Sequence, residues 1–319
     1  MTAYVIRRVL WGLLMLVIVC GLTFVLFRVL PTGNPAVLRA GRDPQPKLIK
    51  EIEGVLGLNK PLYTQFWDYL KGIFLHFEFG FSFYSQESVL SLIKERLPAT
   101  ISLTLGAAVL WVIAGVGVGI ISAIKRHTFL DRFAMSSALV AVSAPSFWLG
   151  LLALFFFASD IGKFKILPGA GSYVGLTADP GKWFTSMIMP WLVLAASSAA
   201  IFARLMRGNL LEVMDEDYIR TARAKGLPER KVLRQSVRSS INPIVTLLGL
   251  EVGILLGGAV LVETVFNIPG VGRLAYQSII NADFSVIQGT VLMAAMFIIV
   301  ANIVVDVLYA YLDPRVRYS

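Results

Sequence analysis

The chain has 319 residues, 56% of them hydrophobic and only 15% charged, with 29 Lys and Arg against 20 Asp and Glu for a net charge of +9. An ordinary soluble domain carries about 25% charged and about 45–50% apolar residues, so a soluble globular enzyme is excluded. The single cysteine, Cys20, excludes an intrachain disulfide scaffold. What remains is a protein that crosses a membrane several times.

A spanning helix needs ~20 predominantly apolar residues to cover ~30 Å of hydrocarbon. Charge-free runs of that size occupy residues 9–27, 99–124, 133–159, 183–203 and 284–305, and a sixth, 239–262, is interrupted only by Glu251. Six spans are therefore expected. The first run follows Arg7 and Arg8, as a secretory signal would, but a signal's apolar region is only ~7–15 residues and ends in small side chains. This run is longer and ends in Phe27, Arg28, Val29, Leu30 and Pro31, so a retained span is expected.

Between the first and second spans, residues 31–98 form a mixed-charge segment. Its stretch from Pro61 to Leu70 has apolar side chains at 62, 63, 66, 67, 69 and 70, a helical stripe. Such a helix lies on the bilayer surface, with Trp67 and Tyr69 at headgroup depth, or offers a docking face to an outside partner; the first reading is favoured. An amphipathic stretch, 89–97, then leads into the second span. Pro145 in the third span and Pro190 in the fourth each remove a backbone donor, and a local kink is expected at each. Gly115, Gly117 and Gly119, and likewise Gly253, Gly257 and Gly258, are expected to let helices approach closely.

The fourth and fifth spans are joined by residues 204–242, which read as two short helices around a turn. Asp215 or Asp217 is the expected N-cap of a helix over 218–225. Gly226 supplies a left-handed stop, and Pro228 opens a second helix from Glu229 to about Ser239. That second helix is basic on one side and carries Val232, Leu233 and Val237 on the other. A DNA-binding helix-turn-helix is disfavoured by the tether to spans at both ends and the lack of dimer geometry. A solvated basic loop and a docking element for another protein remain, and the specific turn chemistry favours docking.

Orientation follows from Lys and Arg in the connections. With the N-terminus cytoplasmic, the inner segments hold 16 such residues in 65 positions and the outer segments 12 in 118. Both termini are expected inside, and the net charge of +9 is mostly orientation signal, requiring no nucleic-acid partner. Within the spans Glu251 and Asp306 are the ionisable residues. Each either lines a path for cationic or zwitterionic groups or is satisfied by a neighbouring helix or the interface; the path reading is sharper for Glu251 and the interface reading for Asp306. His76 and His127 fall on opposite sides of the membrane, so no metal site is expected.

The string Asp217-Tyr218-Ile219-Arg220-Thr221-Ala222-Arg223-Ala224-Lys225-Gly226-Leu227 resembles the cytoplasmic loop of binding-protein-dependent ABC importer permeases. That loop is commonly Glu-Ala-Ala, three residues, Gly; here Arg220 and Thr221 replace the first two positions, while Ala222 and Gly226 match. The Arg-Thr-Ala form is similar to the dipeptide, oligopeptide and nickel branch. Tyr4-Val5-Ile6-Arg7-Arg8, Gly57-Leu58-Asn59-Lys60-Pro61, Glu95-Arg96-Leu97-Pro98-Ala99-Thr100 and Ala144-Pro145-Ser146-Phe147-Trp148-Leu149-Gly150 extend the resemblance. So do Gly257-Gly258-Ala259-Val260 with Glu263, Phe266, Pro269-Gly270 and Gly272, and Leu312-Asp313-Pro314-Arg315-Val316-Arg317. Ser239-Ser240-Ile241-Asn242-Pro243 departs from the more apolar approach to the proline.

The resemblance implies an all-α membrane protein of the type I ABC importer permease architecture, with six transmembrane helices. Residues 1–30 would be an N-terminal span, 31–98 an extracytoplasmic segment, 99–312 the permease core and 313–319 a cytoplasmic tail. It further implies a second permease subunit in a heterodimer, two ATP-binding subunits and an extracytoplasmic substrate-binding protein. Tyr218, Ile219, Arg220, Thr221, Ala222, Arg223, Ala224, Lys225, Gly226 and Leu227 would form the helix that couples to the ATPase, with Ala222 and Gly226 permitting close approach. Glu251 and Pro145 are the candidate translocation-path residues. No Gly-x-x-x-x-Gly-Lys-Ser/Thr phosphate loop is present, so this chain is expected to be non-catalytic and to bind no cofactor; ATP and Mg would belong to the partner ATPases. A di- or oligopeptide is the expected cargo. Nickel or another small solute, and a secondary transporter with inverted repeats and broken helices, are the alternatives.

Overall fold

The computed structural model describes residues 2–29, 45–55, 57, 59–82 and 84–312. The expected tail at 313–319 and residues 31–44 of the segment before the second span lie outside the described residues.

The chain is built almost wholly of helices. The first, α1 (Thr2–Phe24), carries the first apolar run and continues as a wider π turn over Val25–Val29. Two short helices follow, α2 (Pro46–Val55) and α3 (Leu62–Lys71). The aromatic stripe of α3 divides. Phe66 and Tyr69 turn toward α1, with ring centroids 5.3 and 5.9 Å from Phe24, while Leu62, Tyr63 and Trp67 are exposed. Next to this helix Lys60 donates to Asp68 at 2.8 Å, which holds the Asp68 carboxyl below its ordinary value.

A two-residue antiparallel hairpin, β1 (Phe81–Ser82) with β2 (Glu87–Ser88), leads into α4 (Val89–Ile124). Ser88 caps α4 by accepting from the Ser91 N–H at 3.1 Å. The amphipathic stretch and the second span are thus one 36-residue helix that runs through Pro98.

The third apolar run is not one helix. It comprises α5 (Phe129–Ser143) and α6 (Ser146–Phe157), set at 101° to each other. Proline lacks an N–H and forces its predecessor out of the helical region; Ala144 is accordingly extended at φ −85°, ψ 122°, and Pro145 caps α6. The expected kink is therefore a corner. At Pro190 the outcome differs, because α7 (Pro180–Met214) passes through it as a continuous helix. Asp179 caps α7 by accepting from the N–H groups of Gly181 and Lys182. The Lys182 N–H and ammonium hold the Asp179 carboxyl below its ordinary value.

Beyond α7 come α8 (Asp217–Ala224), α9 (Glu229–Ser240) and α10 (Asn242–Leu256). The apolar run expected to span as far as residue 262 leaves the helix at Gly257. Gly258 sits at φ +126°, where a side chain is strained, and an added Cβ there would lie 2.4 Å from the Gly272 backbone. The chain turns back through α11 (Val260–Val265) and α12 (Val271–Ile280) before the closing helix α13 (Phe284–Leu312).

Among the described residues, four helices are able by length and composition to cross a membrane: residues 6–27, α4, α7 and 284–307. The number rises to six if α5 with α6 and α9 with α10, the latter bent by 43°, each count as one span.

The most extensive helix contact is between α4 and α7. A Cβ at Gly115 would meet Phe202 and the Ala199 backbone at 2.6–2.7 Å, and one at Gly119 the Ala203 carbonyl and Met206 at 2.7 Å. Gly253 and Gly257 stand equally close to Ala301 and Ala294 of α13. Gly117 faces open space and takes no part in the seam. Trp111 and Phe202 fill the centre, both fully buried, with ring centroids 6.2 Å apart. A second apolar cluster gathers Leu16 and Cys20 of α1, Leu92 and Ile93 of α4, and Leu292 and Met293 of α13.

Candidate functional site

The loop after α7 is held out from the bundle by the helices on either side. α7 continues 11 residues past the apolar run that ended at Ala203, about 16 Å of additional helix. It closes with Asp215 and Glu216 donating back to Glu212 and Val213. α8 then starts at Asp217. Its N-cap is Glu216, with no side-chain capping bond, in place of the expected Asp215 or Asp217.

Inside α8 the Thr221 hydroxyl returns to the Asp217 carbonyl at 2.8 Å. The helix ends as expected: Gly226 lies at φ +76°, its N–H reaches the Arg223 carbonyl, and the Leu227 N–H reaches that of Ala222. An added Cβ at Gly226 meets nothing within 4 Å. Within this chain Gly226 serves the backbone angle and not packing.

Of the ten residues singled out in the sequence, only Ile219 is fully buried and Ala222 half-buried. Tyr218, Arg220, Thr221, Arg223, Ala224, Lys225, Gly226 and Leu227 are exposed. Ile219 is the plug that seats α8, and Arg223 bridges the turn to Glu229 of α9 at 3.0 Å. α9 packs through Val232, with Leu233 and Val237 against the main core, and turns Arg230, Lys231, Arg234 and Arg238 to the outside. The result is a short helix seated by one apolar side chain and carrying a basic outer surface.

The candidate path residues sit on different helices. Glu251 of α10 is half-buried and accepts from the Ser198 hydroxyl of α7 at 2.8 Å. Pro145 stands at the corner between α5 and α6, and α6 packs on α7 and α11. Asp306 meets a neighbouring helix, accepting from Arg8 of α1 at 3.0 Å.

Two buried carboxylates stand outside the residues singled out in the sequence as candidates, Glu263 and Asp131. Glu263 of α11 is fully buried. It accepts from the Thr100 hydroxyl and the Arg273 N–H, both at 2.8 Å, while Thr100 in turn accepts from the Val271 N–H. It thus caps α12 and pins it to α4, with no salt bridge to it among the described residues. A Cβ at Gly270 would overlap this carboxylate at 2.2 Å, which is why glycine stands there. Asp131 lies at the other end of α4, paired with Arg207. In sequence its signal is a lone acid within a basic connection, Lys125-Arg126-His127-Thr128-Phe129-Leu130-Asp131-Arg132.

Two family models match the chain. Residues 115–318 match the binding-protein-dependent transport system inner membrane component, and residues 1–104 match the N-terminal part of such membrane components. A putative peptide transport system permease of Brucella abortus (strain 2308) is 41% identical over the full length of both chains. A glutathione transport system permease of Escherichia coli (strain K12) is 40% identical, also over the full length of both. The chain belongs to the inner membrane components of binding-protein-dependent transport systems, the multi-pass permease subunits of ABC importers.

Proposed function

We propose that this permease carries di- or oligopeptides, with six spans, both termini in the cytoplasm and the type I importer architecture. Both named relatives are permeases for peptide-like cargo, since glutathione is itself a tripeptide, and each matches the whole chain. Counting α5 with α6 and α9 with α10 as single spans brings the helices to six, and the excess of Lys and Arg then falls on the side of α8 and both termini.

Residues 218–227 are the coupling helix. The observation that carries this reading is the exposure of eight of the ten residues, on a helix and the turn that ends it, held between α7 and α9. A partner that seats α8 moves both neighbours, and α9 runs directly into α10. In this reading the chain contributes no catalytic group. ATP and Mg are handled by two partner ATPases, whose closure draws the coupling helices of this chain and a second, different permease together. A solute-binding protein on the outer side delivers the peptide. Glu251 and Pro145 line the path, where the Glu251 carboxylate meets the cationic amino group of the cargo and the corner at Pro145 is a place where a span can rearrange.

The test is reconstitution with the ATPase, second permease and binding-protein subunits. Gly226→Glu and Ala222→Asp place charge on the docking face, and each is expected to abolish co-purification of the ATPase and peptide uptake. Retention of both refutes the coupling assignment. Glu251→Gln is expected to raise KM for free peptides more than for amino-acetylated ones; an equal change for both removes Glu251 from the path.

A further inference from the structure

Asp131 is 4% exposed, and four donors converge on its carboxylate. Arg207 contributes two, Nε at 2.7 Å and an Nη at 2.8 Å, in the bidentate geometry of a guanidinium. The Ser122 hydroxyl and the His127 N–H supply the others, the latter at 2.9 Å. These groups come from three separate places: α7, the last turn of α4, and the tight connection between α4 and α5.

That connection is over-determined. His127 lies at φ +66°, uncommon for a side-chain-bearing residue, and Thr128 caps α5 while its own hydroxyl reaches the Lys125 carbonyl at 2.6 Å. Backbone held in such a region persists only where its surroundings enforce it. Here the enforcing group is the Asp131 carboxylate, which takes the His127 N–H.

α4 and α7, already packed through Gly115, Gly119, Phe202 and Met206, have no need of an ion pair for adhesion, and a buried pair adds little stability over a well-packed apolar one. What the pair supplies is register. If α7 slid or rotated against α4 and α5, Asp131 would be left buried and unpaired, so intermediate positions are costly. Arg207 lies seven residues before the end of α7, and α8 begins three residues after that end. The clamp therefore stands roughly 10 Å along the helix from the base of α8.

We propose that Asp131 and Arg207 are positioning residues for coupling: they lock α7 to α4 and α5, so that displacement of α8 moves all three helices as one body. This rests on the coupling role of α8 proposed above.

The experiment measures ATP hydrolysis and peptide uptake in parallel, in proteoliposomes of the complete complex. Arg207→Lys keeps the charge and loses the two-pronged contact; Asp131→Asn keeps the shape and loses the charge; Ser122→Ala removes one donor and leaves the pair. The first two are expected to assemble with the ATPases and to hydrolyse ATP, while peptide moved per ATP falls about tenfold, the scale of an ordinary coupling free energy. Ser122→Ala, which loosens the tie to α4 and leaves the pair, should give a smaller fall than either.

Unchanged uptake per ATP in Arg207→Lys overturns the proposal. So does a parallel loss of hydrolysis and uptake with the ratio preserved, which marks the pair as structural only. If Asp131→Asn does not assemble, Arg207→Lys decides alone. Should neither variant assemble, the pair is needed for folding and the proposal falls. Gly226→Glu separates the two ideas. Its failure to disturb ATPase binding removes the coupling role of α8, whereas its success beside a fully coupled Arg207→Lys removes only the clamp.

Discussion

The seam between α4 and α7 and the loop of α8 and α9 use the same residue, glycine, for opposite reasons. In the seam, Gly115 and Gly119 are there because anything larger strikes the neighbouring backbone: a Cβ would lie 2.7 Å from the carbonyls of Ala199 and Ala203. In the loop, Gly226 has open space around it and is there for its φ of +76°. The first region is held by close packing along the face where the two helices meet. The second is shaped by local backbone chemistry and seated by one side chain, Ile219, leaving its surface free for another molecule. The difference shows how a permease can hold a firm helix bundle and still present a lightly attached handle.

The contrast breaks most visibly in the seam. Gly119→Leu inserts four carbons where a single one already overlaps a carbonyl and Met206. Overpacking costs typically about 1–3 kcal/mol even where side chains can yield, and here a main-chain oxygen resists. Loss of monodisperse protein in detergent, or a large drop in thermal midpoint, is expected. Gly117→Leu, two residues away and facing open space, is the control and should leave the midpoint nearly unchanged. Equal effects at 117 and 119 would mean that α4 and α7 are not in the register described.

An effect confined to one helix is expected at the single anchor of the handle. Ile219 is fully buried, and truncating a buried isoleucine to alanine costs roughly 2–4 kcal/mol. Because Ile219 seats only α8, the loss should appear locally: faster proteolysis between residues 214 and 228 with the midpoint of the bundle little changed. A global loss of midpoint without local cleavage would contradict the picture of a separately seated helix.

In both regions the sequence foretells the elements and not their contacts across space. Apolar runs of about 20 residues are a strong signal, because the bilayer imposes length and composition together; α4, α7 and α13 contain the runs that marked them, and the first run fills α1 and enters the π turn after it. The helix–Gly–helix order of the loop is equally legible, since a left-handed stop at Gly226 and a proline at 228 are local chemistry. What depends on the partner across space is not legible. A proline in an apolar run reads the same at 145 and 190, yet one makes a 101° corner and the other lies within a continuous helix. Asp131 and Arg207 are 76 positions apart, and each alone looks like one more charge near a helix end. Glu263 and Thr100 are 163 apart, and the cap they build on α12 exists only once Gly258 has turned the chain back.

Gly226→Ala gives the next smaller effect. A non-glycine residue in the left-handed region costs roughly 1–2 kcal/mol, and here no clash adds to it. The expected result is partial fraying of α8, seen as a modest increase in loop proteolysis, with Gly226→Asn milder because asparagine tolerates this region. If alanine were as damaging to the isolated permease as Gly119→Leu, Gly226 would have to be packed against something, contrary to the open space around it.

The smallest effect separates the two ion pairs that flank the handle. Arg223 and Glu229 meet at 3.0 Å, much as Arg207 and Asp131 do at 2.7 Å, but their side chains are 37% and 72% exposed against 26% and 5%. Water screens the outer pair and hydrates either partner left alone, so exposed pairs of this kind contribute about 0.2–1 kcal/mol. Glu229→Gln should therefore shift the stability of the isolated permease by no more than that, and the shift should vanish in high salt as the Debye length shrinks to about 3 Å at 1 M. The Asp131→Asn change should persist in the same salt, because the carboxylate it removes is shielded from solvent. A salt-independent loss in Glu229→Gln would show that the turn between α8 and α9 is buried against another element, and the handle would then be part of the bundle.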